Sequence, residues 1–172
     1  TPPPPAPLVP PARPADPADV GSVDAILAAL YEVISGDKGV KRDWARFETL
    51  FHPDARMISG GRTAAGEVRA RARPLQAYIE GPTPLLEGDG FHEVEIFRTT
   101  QRMGRIIHVT STYEARHALS DPQPFMRGVN SIQLFDDGQR LWILTVAWSP
   151  GSPEDPIPAE FLPPAGGAPH TS

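Results

Sequence analysis

Residues 91–117, FHEVEIFRTTQRMGRIIHVTSTYEARH, and residues 125–148, FMRGVNSIQLFDDGQRLWILTVAW, decide the fold. Each is a long run rich in β-branched and aromatic residues, interrupted by a glycine-containing turn: Met103-Gly104 in the first and Asp137-Gly138 in the second. Asp-Gly is a strong two-residue hairpin signal, because glycine accepts the positive φ that such a turn needs. Two antiparallel hairpins are predicted, with their register counted outward from the turns. Val94 then faces Tyr113, Ile96 faces Ser111, Asn130 faces Thr145 and Ile132 faces Ile143.

Opposed residues share a face of the sheet. One face therefore collects Val94, Ile96, Val109, Ser111, Tyr113, Asn130, Ile132, Leu134, Leu141, Ile143 and Thr145. The other collects Glu93, Glu95, His108, Thr112, Glu114, Arg127, Gln133, Trp142, Leu144, Val146 and Trp148. The first reads as a core that turns polar at one end, and that end is the expected ligand site.

Upstream, Ser22 is a candidate N-cap, and Val23, Ile26, Leu27, Leu30, Val33 and Ile34 recur at helical spacing. Ser35 to Gly39 stops this helix. A second covers about Asp43 to Phe51, His52-Pro53-Asp54 breaks it, and Ala55 to Ser59 reads as a short strand. Gly60 to Arg73, with three glycines and four arginines, reads as a loop whose charges are solvated, the alternative being a lid that attracts an anionic ligand. Pro74 opens a third short helix carrying Leu75, Tyr78 and Ile79, ended by Gly81-Pro82-Thr83-Pro84. Three helices and a short strand ahead of four long antiparallel strands make an α+β domain, its curved sheet wrapped around the helices as an open cone.

Of the 22 prolines, nine fall between Thr1 and Pro17 and seven between Pro150 and the C-terminus. The organisation expected is an extended spacer over 1–19, one domain over 20–149, and a proline-rich tail over 150–172 whose first part could fold back on the domain. A net charge of −5 argues against a nucleic-acid partner, and no apolar stretch is long enough for a membrane span. Threonine at position 1 and the spacer lead to the expectation of a periplasmic or secreted protein that has lost a signal peptide; a cytoplasmic protein is the alternative. With no cysteine there is no disulfide framework, and no His or carboxylate cluster has metal-ligand spacing, so neither metal nor cofactor is implied.

Arg42-Asp43-Trp44, Leu50 to Ala55, His108 to Glu114, Arg127 to Leu134 and Leu141-Trp142-Ile143, in this order, resemble the nuclear transport factor 2-like (NTF2-like) superfamily. That superfamily includes SnoaL-like polyketide cyclases, ketosteroid isomerase and limonene epoxide hydrolase. The resemblance covers roughly Ser22 to Leu162 and is nearest to the bacterial SnoaL-like branch without an assigned reaction. It implies a cone that hosts enzymes, binding modules or assembly domains, so function must be argued from the site.

A proton-shuttling enzyme needs a carboxylate or imidazole inside the cup, with hydrogen-bond donors facing it. In this register Glu93, Glu95 and Glu114 point outward, and Asp54 caps a turn. His92, at a strand end, is left as the inner base, and no inner acid accompanies it. The reading is therefore a cone that binds a small, largely apolar molecule. Ser111, Tyr113, Asn130 and Thr145 line its polar end, and Trp44, Phe47 and Tyr78 form an aromatic wall. One alternative is a lyase, isomerase or cyclase using His92 or Tyr113; another is an interaction module with a filled cone. On the outer face Val129, Trp142, Leu144, Val146 and Trp148, edged by Arg127, have the composition of an interface, and a homodimer is expected through them. The competing occupant is the tail, through Ile157, Phe161 and Leu162.

Overall fold

The computed structural model describes residues 13–165, and the proline-rich segment 1–12 and residues 166–172 lie outside it. Twelve elements follow in the order α1 Pro17–Val20, α2 Val23–Ile34, α3 Trp44–Thr49, β1 Phe51–Arg62, β2 Val68–Pro74, α4 Leu75–Glu80, α5 Thr83–Asp89, β3 His92–Met103, β4 Ile106–Arg116, β5 Met126–Asp136, β6 Leu141–Pro150 and a 3-10 turn at Ala159–Phe161. The six strands form one sheet in the order β2-β1-β6-β5-β4-β3. The β1–β6 pair is parallel and the others are antiparallel. The sheet curves without closing, and helices fill its concave side, which is the α+β cone expected.

Local chemistry places the helices. The Ser22 side chain accepts from the Ala25 amide at 3.1 Å to start α2. Ile26, Leu27, Leu30, Val33 and Ile34 then bury their shared stripe against the sheet, together with Phe47 of α3. Asp43 caps α3 by accepting from the Arg46 amide at 2.9 Å. Of the segment read as an extended spacer, residues 1–12 lie outside the described residues, and Pro17–Val20 is helical. Pro17 occupies the first turn of a short helix, where its missing N–H is not needed, and Asp16 caps it from 2.9 Å. Two further elements depart from the sequence reading. Residues 60–73 are not a loop: β1 and β2 form a hairpin there, paired from Arg56↔Pro74 to Arg62↔Val68. α5 begins inside the Gly81–Pro84 break, at Thr83, with Pro84 in its first turn.

The two long hairpins exist, but their registers differ from the count made at the turns. The first turn is Gly104-Arg105, with Met103 opposite Ile106 and Gly104 at φ +64. The second has four residues between Asp136 and Leu141, held by Asp137 accepting from the amides of Gln139 and Arg140 at 2.7 and 2.8 Å. Both shifts preserve which face each residue takes near the turns. Two bulges do not. One extra residue, Ile96, is accommodated between the rungs Glu95↔Tyr113 and Phe97↔Thr112. A second, Leu144, lies between Gln133↔Thr145 and Leu134↔Ile143.

A bulge reverses the side-chain alternation of every residue beyond it. Beyond the first, Glu95 joins Tyr113 on the concave face with Glu93, while Val94 turns out opposite Glu114 and is 43% exposed. Beyond the second, Val146 and Trp148 turn inward opposite Ile132 and Asn130, and Thr145 turns outward, bonding Gln133 at 3.1 Å. Glu93 and Glu95, read as outward, thus stand on the inner face, while Glu114 stays outside with Arg127, and two residues read as interface belong to the core side.

Candidate functional site

Between α2, α3 and the inner faces of β3, β4, β5 and β6 the cone holds a cavity of about 230 Å³. An apolar cavity of about 150 Å³ already admits benzene, so there is room for a molecule of one or two rings. Its walls are Leu30, Ile34, Met57, Leu86, Met126 and Val146, with Phe47, Tyr78 and Trp148 as an aromatic side. Phe47 stacks on Tyr78 at 5.8 Å between centroids, and Tyr78 meets Trp148 edge-on at 5.8 Å.

Polar groups enter from one end. The Asn130 side-chain amide donates to Glu93 Oε1 at 3.0 Å and to the Tyr31 hydroxyl at 3.1 Å. Because Tyr31 accepts there, its own proton points to Ser111, whose oxygen lies at 2.6 Å. Ser111 in turn donates to Glu95. Glu95 is neutralised by Arg98, with contacts of 2.7 and 3.0 Å, and Arg98 reaches Asp24 on α2. Every donor in this chain has its acceptor, so the network locks Asn130 with its amide nitrogen toward Glu93.

Glu93 lines the cavity together with Tyr31 and Asn130, and it is the acid among them. Burial pushes its carboxyl up to about 7, against a smaller lowering by the bond from Asn130. Two phenols face the same space. Tyr113 and Tyr78 line the cavity, and their hydroxyls have no protein hydrogen-bond partner among the described residues. Burial holds both above the ordinary tyrosine range, with the Glu93 charge adding to it, so both remain protonated donors. The hydroxyl end of Tyr113 packs against β5 because residue 128 is glycine: a Cβ there would sit 2.5 Å from the hydroxyl.

Of the ligand residues expected from sequence, Tyr113, Asn130, Phe47 and Tyr78 are brought together around the cavity. Ser111 stands behind it, supporting Tyr31. Trp44 packs edge-on against the back of Phe47 at 5.3 Å, and Thr145 is on the outer face. His92 is not the inner base, since it lies opposite Arg116 and bonds Asp37 at 2.8 Å outside the cavity. Glu93, Tyr31, Trp148 and Arg73 were missed. Tyr31 alone carried a direct signal, because it follows Leu27 by four residues on the apolar stripe of α2.

On the outer face Trp142 donates to Asp137 at 2.7 Å and carries the Arg140 guanidinium 3.6 Å above its ring. Val129 and Leu144 are half-buried, and Arg127 pairs with Glu114. The tail covers a neighbouring part: Thr112 donates to the Phe161 carbonyl at 2.5 Å. Among the described residues no cluster of His, Cys, Asp or Glu is placed to hold a metal ion, and no helix is long and apolar enough to cross a membrane.

No protein-family model matches the chain, and no curated protein matches it. Solved structures do. The β subunit of a proposed aromatic-ring-hydroxylating dioxygenase from Novosphingobium aromaticivorans superposes with a TM-score of 0.55 at 12% identity, covering 77% of this chain and 88% of that one. A protein of unknown function with a cystatin-like fold from Nostoc punctiforme gives 0.55 at 12% identity, over 78% and 91%. A proposed dehydratase of the NTF2-like family from Streptomyces avermitilis gives 0.51 at 12% identity, over 78% and 96%. The chain has the NTF2-like, cystatin-like fold that the sequence resembles, and identity this low carries the likeness no further than the fold.

Proposed function

We propose that the cone of this NTF2-like domain binds a small, largely apolar carbonyl compound and moves a proton on it, with Glu93 as the general acid–base. The observation that supports this is a carboxyl with a pKa near neutrality in the same apolar cavity as two phenol donors that have no partner among the described residues. A base works best when its pKa is close to the working pH. In the reaction, Glu93 takes a proton from the carbon next to the carbonyl, and the C–H electron pair moves into an enolate. The enolate oxygen accepts hydrogen bonds from Tyr113 and Tyr78. Glu93-H then returns its proton to another carbon, an isomerisation, or the enolate expels a β-substituent, an elimination. Asn130 is a positioning residue, holding the carboxylate through the network that ends at Arg98.

The test is α-hydrogen exchange of 2-tetralone in D2O, followed by NMR. Exchange should rise with pH to a plateau above about 7, vanish in Glu93→Gln and be inhibited by 2-naphthol, the planar analogue of the enolate. A wild-type protein that binds 2-tetralone without catalysing exchange would sink the proposal. The homodimer is proposed on a smaller outer patch of Val129, Trp142 and Leu144, and sedimentation of Trp142→Glu checks it.

A further inference from the structure

A second concavity, of about 340 Å³, continues outward from the cone over the β1–β2 hairpin, and Arg73 and Trp148 line both spaces. The register explains it. The rungs Met57↔Arg73, Ser59↔Arg71 and Gly61↔Arg69 put three arginines of β2 on the concave face. On the other side of β1 the same rows continue into Val146 and Trp148 of β6. Met57 and Val146 line the cone, whereas Ser59 and Gly61 line the outer space. The floor therefore drops where the side chains shrink, and the arginines form its wall.

Two of the groove's cations are already answered. Arg62 pairs with Asp155, the carboxylate in the groove lining, at 3.3 Å, and Arg69 has Glu67 at 3.8 Å. Among the described residues Arg71 and Arg73 make neither an ion pair nor a hydrogen bond. Same-face neighbours on a strand are about 7 Å apart, so these two guanidinium groups border one stretch of groove directly outside an apolar cavity. In a chain of net charge −5 this is a local positive site at the mouth. A guanidinium fork matches the oxygens of carboxylate or phosphate, and binding so far from the reacting carbon would orient the molecule there.

We infer that the molecule taken by the cone is an amphiphilic acid whose apolar part enters the cavity while Arg71 and Arg73 hold its oxyanion, a carboxylate or phosphate, in the groove. This rests on the cone being the ligand site proposed above. It adds the class of substrate, which an acid–base site alone does not specify.

Three probes with one phenyl ring and one five-carbon chain separate the readings: 5-phenylpentan-1-ol, 5-phenylpentanoate and 5-phenylpentyl phosphate. Binding is followed by calorimetry and tryptophan fluorescence at low and high salt. Both anions should bind the wild type about tenfold tighter than the alcohol, with the advantage shrinking in salt. Whichever anion binds tighter identifies the headgroup. Arg71→Gln alone, which lies outside the cone lining, should lose part of the advantage and keep the affinity for the alcohol; the double variant Arg71→Gln with Arg73→Gln should lose all of the advantage, and Arg71→Lys with Arg73→Lys should retain most of it. Circular dichroism verifies that each variant folds. Equal binding of all three probes by the wild type overturns the inference alone, as does an anion preference that survives the glutamine pair. Failure of all three to bind overturns the cone reading as well. Glu93→Gln should keep the anion preference, so a loss of exchange there is read separately from the groove.

Discussion

Replacing Glu93 by glutamine removes a charge while keeping the side chain's size and an oxygen that can accept from Asn130. Its effect on stability follows from the titration of the carboxyl. Burial raises the pKa from 4.5 to about 7 in the folded protein. At about 1.4 kcal/mol per pH unit, that is about 3 kcal/mol against the ionised form in the cavity. Below pH 4.5 the group is neutral in both folded and unfolded chains, and it contributes no difference. Between 4.5 and about 7 the unfolded chain gives up its proton while the folded one retains it, so the unfolded state binds fewer protons and wild-type stability falls. Above about 7 the full loss is present. Glutamine does not titrate, so the stability of Glu93→Gln relative to wild type should increase by about 3 kcal/mol between pH 4 and pH 8. For a domain of this size that is roughly 6–12 °C in Tm. Thermal and urea unfolding by circular dichroism at a series of pH values measures it, with all other titrations cancelling in the difference. The same variant should be inactive in proton exchange, so the two readouts move in opposite directions. A difference that stays constant from pH 4 to pH 8 would refute the claim that Glu93 titrates inside the cone.

Tyr113→Phe removes a donor with no partner among the described residues, so it should change stability little and reduce the exchange rate by about 10²- to 10³-fold. Asn130→Ala should destabilise by about 1–3 kcal/mol, because it strips the partner from buried Tyr31 and Glu93. It should also move the activity profile to higher pH, since the bond from Asn130 is what lowers the Glu93 pKa. In Gly128→Ala the new methyl collides with the Tyr113 hydroxyl, and the expected outcome is weaker 2-naphthol binding and about 1–3 kcal/mol lost to overpacking. Arg42 donates from its side chain to the carbonyls of Ile34, Gly36, Val40 and Leu86, so Arg42→Met should lower stability by about 3–5 kcal/mol without changing the pH profile of exchange.

What the sequence determined by itself is everything set by local chemistry. Ser22 and Asp43 cap helices because their side chains reach amides three residues ahead, and the apolar spacing after Ser22 selects one helical face. The glycines at 104 and 138 mark the hairpin turns, and alternation near those turns correctly assigns Val109, Leu134, Leu141 and Ile143 to the core. Tyr113 and Asn130 were legible as inner-face residues for the same reason: β4 and β5 pair without a bulge. Residues 60–73 were not legible as a hairpin, since β2 is an edge strand whose arginines face a groove instead of alternating with apolar residues.

Only the tertiary structure decided the mouth of the cone. Alternation is a count of paired residues from the turn, and one unpaired residue changes the parity of all that follow. Where that residue falls depends on how strongly the sheet must curve around the helices, a property of long-range packing and not of neighbours in the chain. Ile96 and Leu144 take the bulge positions, and with them Glu93, Val146 and Trp148 turn inward while Thr145 turns out. The cavity's acid is therefore a consequence of sheet curvature, and the same curvature brings Arg73 of a distant hairpin to its rim.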